Sequence, residues 1–189
     1  QRRSIYALGK NVSQTPAQIS ETIEEAIRQS PTAFNSQTVR AVITFGENSD
    51  RVWDIVEAEL KKVTPADRFP ATQEKIASFR AGFGTILYFT ETQTVHKLEA
   101  DFPLYAANFA NWAEQGLGGA QQAVWTALAA ENIGASLQHY NPLIDEKIKE
   151  AFDIPESWEL RAQMPFGSIE APAGEKEFLP DDVRFKIFE

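Results

Sequence analysis

Residues 30–37 have the sequence SPTAFNSQ and lie between a helix pattern and a strand pattern. In the preceding run, PAQISETIEEAIRQ, the apolar residues Ile19, Ile23 and Ile27 recur at helical spacing. The following run, TVRAVITFG, alternates as a half-buried strand does. The connecting loop thus surrounds one aromatic residue, Phe34, with serine, asparagine and glutamine. A chain reversal needs fewer hydrogen-bonding groups, which raises the question of what this loop binds.

The composition indicates an ordinary globular protein. The chain has 189 residues, of which 43% are hydrophobic and 24% charged, and its length suits a single domain spanning residues 1–189. Apolar runs such as AVITF are too short to cross a bilayer and the start of the sequence has no signal-peptide core, so we expect no membrane association. The absence of cysteine excludes disulfides and thiol nucleophiles and fits a cytoplasmic protein.

The charge is negative overall but locally basic at the start of the chain. A formal net charge of −9 argues against nucleic-acid binding, which needs a basic surface. Residues 1–20 nevertheless contain Arg2, Arg3 and Lys10 and no acidic residue. Such a segment could bind one small anion, although a solvated tail explains it equally well.

The periodicity predicts a mixed α+β fold with helices grouped around one sheet. Thr15 and Gln18 predict a capping box at the start of the first helix. Predicted helices cover residues 16–29, 49–62, 71–81, 104–114, 116–130 and 141–152, and predicted strands cover residues 38–46, 85–91, 135–140, 159–169 and 180–189.

Several familiar catalytic motifs are missing. GLGGAQ at residues 116–121 lacks the last glycine of a dinucleotide fingerprint and follows a helix pattern, not a strand. There is no G-x-S-x-G motif. The two histidines, His96 and His139, are far apart and lack a zinc-binding helix motif, so we expect no metal site. An enzyme of this composition needs the reactivity of a bound organic cofactor.

Four segments, in this order, resemble the FMN-dependent nitroreductase family: RRS at 2–4, SPTAFNSQ at 30–37, IGASLQHYNP at 133–142 and a late basic residue after PAGE. The resemblance covers essentially the whole chain. It is strongest to the short subgroup that includes fungal fatty-acid-response proteins and bacterial copper-induced nitroreductases. It implies a nitroreductase-like fold, with a central, mainly antiparallel sheet, and a homodimer that exchanges its C-terminal strand, here residues 180–189.

The resemblance also implies an FMN site built partly from the N-terminal segment. Arg2 and Arg3 would bind the flavin phosphate and the negative charge that reduction places at N1–C2=O, because guanidinium groups offer planar paired donors. Ser4 would hydrogen-bond the same region. Ser30, Asn35 and Gln37 would bind the ribityl chain and ring, largely from the partner subunit; a helix cap and ordinary turn is the alternative.

Two further segments complete the implied site. Leu137, Gln138 and His139 match the strand that passes the central flavin ring, where a backbone N–H approaches N5. Many family members have an acidic residue here, whereas this chain has Gln138 and His139. The resemblance therefore implies the backbone contact but no role for these side chains. The alternative for His139 is a half-buried strand histidine without a function. Lys176 matches a phosphate-binding basic position. Arg184 is a second candidate, with an exposed strand face as an equal explanation.

The implied activity is that of an FMN-dependent NAD(P)H oxidoreductase reducing nitroaromatic or quinone-type acceptors by ping-pong hydride transfer through flavin N5, with no catalytic side chain. Phe34 and the aromatic residues of the 104–114 helix could form the apolar wall of the acceptor site. The 116–130 helix could be the dimer interface or a helix buried within one subunit. Two alternatives remain: a flavin-binding regulatory or stress-response protein with little turnover, and an interaction protein without cofactor.

Overall fold

A central antiparallel sheet organises residues 2–189, the part of the chain that the computed structural model describes. Its strands are β1 (Leu8–Gly9), β2 (Val39–Phe45), β3 (Gly84–Glu91), β4 (Gly134–Ala135) and β5 (Trp158–Ile169). Their order is β1-β5-β3-β2, and β4 pairs with β5. Every pairing between these strands is antiparallel, which confirms the predicted sheet.

Strand β3 is central because both of its faces are apolar. Ile86 and Tyr88 pack into the cluster on one side of the sheet, whereas Leu87 and Phe89 pack into the cluster on the other. All eight residues of β3 are buried. Such a strand can lie only between two layers of helices, and this is where the structure places it.

Helices cover both faces of the sheet. Those of residues 2–189 are α1 (Pro16–Arg28), α2 (Gly46–Val63), α3 (Phe69–Arg80), α4 (Thr92–Asp101), α5 (Ala106–Ala130), α6 (Asp145–Phe152) and α7 (Asp181–Arg184). Helices α1 and α5 contribute to one core cluster, and α2, α3 and α6 contribute to the other. Within the described residues, no helix has the length and apolarity needed to traverse a bilayer.

Helix α1 begins with the predicted capping box. The side chain of Thr15 accepts a hydrogen bond from the backbone N–H of Gln18 at 3.3 Å, and the Gln18 side chain accepts one from the N–H of Thr15 at 2.9 Å. Ile19 and Ile23 are fully buried against the sheet. The cap therefore fixes where the helix starts, and the isoleucines fix which face it buries.

Helix α2 starts earlier than predicted. Gly46 has a φ of +54°, a left-handed conformation that glycine tolerates, and it turns the chain from β2 directly into the helix. Ser49 therefore lies inside the first turn of the helix and does not cap it. Its hydroxyl lies 2.8 Å from the Thr85 Oγ1 atom on β3, which also accepts a 2.8 Å hydrogen bond from the Trp53 indole N–H.

We expect Thr85→Val to lower the free energy of unfolding by about 2–3 kcal/mol, because it leaves the buried Trp53 N–H and the Ser49 hydroxyl without their shared partner. Urea denaturation followed by circular dichroism measures this loss. Thr72→Val, a half-buried position on α3, is the control and should change stability by less than about 0.5 kcal/mol. A Thr85→Val loss as small as the control's would contradict the structural role of this network.

Four further predictions about the elements are wrong. The segments 104–114 and 116–130 form one helix, α5, preceded by a 3₁₀ turn at Pro103–Tyr105. Helix α4 was not predicted, because Val95 and Leu98 are its only residues in an apolar cluster. The helix predicted from residue 141 begins at Asp145, and the strand predicted over 135–140 is reduced to β4 and an isolated bridge at Gln138.

The C-terminal segment also differs from the prediction. Within a single chain, Asp181–Arg184 forms the short helix α7, and residues 185–189 belong to neither a helix nor a strand. The apolar residues whose alternation suggested a strand are exposed: Val183, Phe185 and Ile187. A strand needs a neighbouring strand to pair with, and residues 180–189 have none within the chain that the structure describes.

Candidate functional site

One group of predicted site residues meets at the edge of the sheet where the N-terminal segment passes β4. Ser4 forms a parallel bridge with Ala135, and the N–H of Ile5 donates to the Ala135 carbonyl at 2.9 Å. We call the segments 2–4, 134–139 and 174–176 the basic corner. Backbone pairing thus fixes the register of Arg2 and Arg3 relative to the segment that carries Leu137.

The guanidinium of Arg2 lies over the indole ring of Trp125 on α5. Its Cζ atom is 4.3 Å from the ring centroid, which is a favourable cation–π distance. The Nη1 atom of Arg2 is shielded from solvent and has no hydrogen-bond partner among the described residues. A buried charged donor without an acceptor is costly, so an anionic group at this position would be stabilising.

Arg3 connects the N-terminal segment to the C-terminal arm, residues 170–189. One of its terminal nitrogens donates to the Gly174 carbonyl at 2.6 Å. Lys176 is only two residues after this contact in the chain. The Lys176 ammonium is exposed and lies 5.1 Å from the ring centroid of Phe178. Three cationic side chains therefore come from segments joined at this corner, despite the large separation of Lys176 in sequence.

The segment after β4 exposes alternate backbone N–H groups. Gln138 exchanges two hydrogen bonds with Gln163 of β5, at 2.7 Å and 2.9 Å, and the Tyr140 N–H donates to the Gln163 side chain at 2.7 Å. Within residues 2–189, the N–H groups of Leu137 and His139 donate to no protein acceptor. The edge turned away from β5 therefore has two free donors. The side chain of His139 is exposed and lies outside any strand ladder.

The side chain of Tyr140 points away from this edge. It packs into the core cluster of α2 and α3, with its ring 6.2 Å from the ring of Trp53. Burial raises the pKa of the Tyr140 phenol. This side chain is therefore neutral at physiological pH and contributes packing rather than charge.

The loop of residues 30–37 is held in an unusual backbone conformation. Phe34, Asn35 and Gln37 all have positive φ angles, 58°, 48° and 50°. The Gln37 N–H donates to the Thr32 side chain at 2.9 Å, and the Ser30 hydroxyl donates to the Ala26 carbonyl at 2.7 Å. Left-handed residues cost energy and concentrate at binding sites, so three of them in four positions indicate a functional loop.

Asn35 and Gln37 turn their side chains to solvent. Neither side chain makes a hydrogen bond within the part of the chain that the structure covers, so both remain available to a ligand or a partner. Ser30 differs, since its proton is already donated at the end of α1 and only its oxygen can accept a further bond. The helix-cap alternative thus describes Ser30 but not Asn35 or Gln37.

Phe34 packs into an aromatic cluster formed with the start of α5. Its ring centroid is 5.1–6.3 Å from those of four other aromatic residues: Phe102, Tyr105, Phe109 and Trp112. Phe34 still exposes 54% of its surface. A groove of about 560 Å³ borders this cluster, and we call it the aromatic groove; its lining is Pro31, Thr32, Ala33, Phe34, Trp112, Gln115, Gly116 and Gly119.

Helix α5 contains glycine where the groove runs along it. A methyl group added to Gly116 would lie 3.1 Å from the side chain of Thr32, so this glycine lets the loop approach the helix. Gly118 and Gly119 have nothing within 4 Å of such a group. Each glycine costs a helix about 1 kcal/mol relative to alanine. Contacts within one chain explain Gly116 but not Gly118 and Gly119.

The predicted site residues therefore fall into two groups. Arg2, Arg3, Ser4, the 137–139 segment and Lys176 belong to the basic corner. Ser30, Asn35 and Gln37 belong to the loop beside the aromatic groove. Arg184 joins neither group in a single chain: it lies on α7 with its guanidinium 5.1 Å from the Phe185 ring centroid.

The sequence analysis missed two residues of the site. Trp125 was given no role in the sequence analysis, although a lone tryptophan among small and aliphatic residues in AVWTALAA is a candidate for a specific contact. The carbonyl of Gly174 was missed because a backbone acceptor leaves no trace in side-chain patterns. Trp112, which belongs to the proposed aromatic wall, lies with its ring centroid 6.2 Å from that of Phe34.

Comparison with known proteins identifies the family. A model of the nitroreductase family matches residues 1–168. The chain belongs to the nitroreductase family.

Individual relatives support this assignment along the whole chain. HBN1 of Saccharomyces cerevisiae, a candidate nitroreductase, is 43% identical over 185 residues, which is 96% of this chain and 91% of HBN1. The nitroreductase FRM2 of the same yeast is 33% identical over 180 residues, covering 94% of this chain and 89% of FRM2.

A solved structure shows the same fold. Nitroreductase CinD from Lactococcus lactis, in complex with nicotinic acid, is 53% identical and superposes with a TM-score of 0.93, covering all 100% of this chain and 96% of CinD. Further CinD complexes contain chloramphenicol and 4-nitrophenol. The nitroreductase fold predicted from the sequence is thereby confirmed, and membership supports an oxidoreductase as the class of activity.

Proposed function

We propose that this protein is an FMN-dependent NAD(P)H oxidoreductase that reduces nitroaromatic or quinone-type acceptors. The observation that carries the proposal is the buried, unpartnered Nη1 of Arg2. It belongs to a segment whose Ser4 pairs with Ala135, two residues before a backbone edge with two free N–H donors. An anionic cofactor with polar ring atoms is complementary to both features. The CinD complexes with 4-nitrophenol and chloramphenicol support nitro compounds as acceptors for this chain.

The residues of the basic corner fit FMN chemically. Arg2, Arg3 and Lys176 are cationic donors for a phosphate and for negative charge on a reduced ring, and Ser4 adds a neutral hydrogen-bonding group. The N–H groups of Leu137 or His139 would hold the central ring in place. Bound FMN would supply the two-electron chemistry that links NAD(P)H to the acceptor, with the two substrates occupying one site in turn.

The protein's own contribution is binding and orientation, and no side chain acts as a nucleophile. The guanidinium groups would hold the anionic end and favour the reduced state electrostatically. The aromatic groove would hold a flat acceptor against apolar rings and exclude water from it. Protons for the reduced product can come from solvent.

We further propose a homodimer in which the C-terminal arm crosses to the partner. The arm exposes apolar side chains in a single chain, and β2 pairs with β3 on one side while its other edge has no strand neighbour among the described residues. A groove of about 520 Å³ between α1 and β2 contains Val39, Ala41 and Ile43. This edge is complementary to the partner's residues 183–188.

The same arrangement accounts for the two separate groups of site residues. A dimer would bring Asn35 and Gln37 of one subunit towards the basic corner of the other, and close approach of a second subunit or the cofactor explains the unoccupied space at Gly118 and Gly119. The chain would act as one domain within each subunit. A cysteine-free composition is compatible with the reducing cytoplasm that we propose as its location.

The test is a spectrum followed by steady-state kinetics. We expect the purified protein to be yellow, to lose its oxidised-flavin absorbance on addition of NADH or NADPH, and to regain it with a nitroarene. Initial rates against both substrates should give parallel lines in double-reciprocal plots. Intersecting lines would contradict alternate occupation of one site. A flavin that is bleached but reoxidised only slowly would favour the regulatory alternative, and a colourless protein that ignores added FMN would exclude the proposal.

A further inference from the structure

We infer that Trp125 is a positioning residue that sets the guanidinium of Arg2 for contact with the anionic cofactor. This inference rests on the proposed FMN site and names a residue outside the motifs that predicted it. Trp125 lies on α5 and makes its contact to Arg2 through the face of the indole ring, at 4.3 Å from the Arg2 Cζ atom.

A hydrogen bond at its edge holds the indole ring in place. Its Nε1 donates to the Ala135 carbonyl at 3.1 Å. The same carbonyl accepts the N–H of Ile5 at 2.9 Å. One backbone oxygen of β4 therefore accepts hydrogen bonds from both α5 and the N-terminal segment. This shared acceptor fixes the position of the Trp125 ring relative to the backbone of Arg2.

The contact leaves the hydrogen-bonding edge of Arg2 free. The N–H bonds of a guanidinium lie in the plane of the group. A guanidinium over an aromatic face can therefore still donate hydrogen bonds from its edge. The Nη1 atom is buried and unpartnered within the described residues. An ion pair with a carboxylate would have held the arginine equally well but would have consumed those donors and the charge.

Pre-organisation is the physical gain. A free arginine loses side-chain freedom when it binds a ligand, and a side chain already held against a ring loses less. The cation–π contact itself is worth about 0.5–2 kcal/mol, depending on its exposure. Removing the ring face should therefore weaken FMN binding by roughly 2- to 30-fold, and only through Arg2.

A double-mutant cycle tests this dependence. FMN is titrated into apoprotein of the wild type, Trp125→Leu, Arg2→Ala and the double variant, with binding followed by quenching of flavin fluorescence. We expect Trp125→Leu to weaken binding in the wild-type background and to have less than about a twofold effect when Arg2 is already alanine. A purely structural role for Trp125 would weaken binding by the same factor in both backgrounds and would overturn the inference.

Trp125→Phe is the matched control for Trp125→Leu, because it keeps an aromatic face and removes the Nε1 donor. It also perturbs the packing of α5 less than leucine does. We expect it to retain most of the affinity that Trp125→Leu loses; a loss equal to that of leucine would overturn the role of the ring face. If wild-type apoprotein takes up no FMN, the proposed function itself fails and this inference with it. If the wild type binds FMN and the two losses multiply, only this inference fails.

Discussion

Replacing both Arg2 and Arg3 by alanine should weaken FMN binding by about 3 kcal/mol or more, on the order of a hundredfold. Each guanidinium offers charge-assisted hydrogen bonds, which are worth about 1.5–3 kcal/mol each. The double variant should still fold, because α1 and the sheet make their contacts without these side chains. The variant should be recovered paler than the wild type. If the contacts are partly exposed, dialysis at high ionic strength should increase the loss of bound flavin.

Equilibrium titration of apoprotein with FMN measures this effect, and dialysis against flavin-free buffer shows it directly. Lys62→Ala with Lys147→Ala is the matched control, since both lysines are exposed surface ion-pair partners outside the N-terminal segment and their loss also removes two positive charges. The control should leave affinity within a few-fold of the wild type. A double-arginine variant that keeps its colour through dialysis would show that the N-terminal segment does not hold the cofactor.

Replacing Phe185 and Ile187 by aspartate should dissociate the proposed dimer. These side chains are 55% and 84% exposed in one chain, so the fold of a subunit should lose little from the change. In the proposed dimer all four copies would be buried, and each is worth about 1.5–3 kcal/mol of apolar burial. The dissociation constant should rise by about 10⁴-fold or more, and flavin should be lost with the partner's loop.

Sedimentation velocity across a dilution series measures the dimer, and circular dichroism checks the fold of the subunit. Lys186→Asp is the matched control: it changes the charge by the same amount from a position that would face outward in an alternating strand. We expect that control to remain dimeric and yellow. If Phe185→Asp with Ile187→Asp sediments as the wild type does at every concentration, the exchange of the arm is wrong.

The sequence predicts the elements whose signals are local. Thr15 and Gln18 cap α1 through residues three apart, and β3 is apolar on both faces, so each could be identified from its own letters. Helix α4 could not be predicted, because its few apolar residues make a weak stripe. The continuity of α5 could not be predicted either, because glycines at 116, 118 and 119 suggest a break in the helix that tertiary contacts override.

The candidate site divides in the same way. Motif order groups Arg2, Ser4 and Leu137 in one candidate site, and the backbone pairing of Ser4 with Ala135 joins the two segments that carry them. The contact of Arg2 with Trp125 depends on where α5 crosses the edge of the sheet. The spacing of residues in the sequence does not predict that crossing. The C-terminal segment was predicted as a strand from its alternation, yet a strand forms only where another strand is available to pair.

The left-handed conformations at Phe34, Asn35 and Gln37 restrict how this protein could be diversified. A library that randomises the loop to alter acceptor preference samples a backbone that valine, isoleucine and threonine rarely adopt. Variants with those residues should be lost from the folded population whatever their effect on the ligand, whereas glycine and asparagine should be enriched even where they add no contact. If the loop contacts the proposed acceptors, the backbone torsions that these positions require therefore limit the usable loop sequences before the shape of the acceptor does.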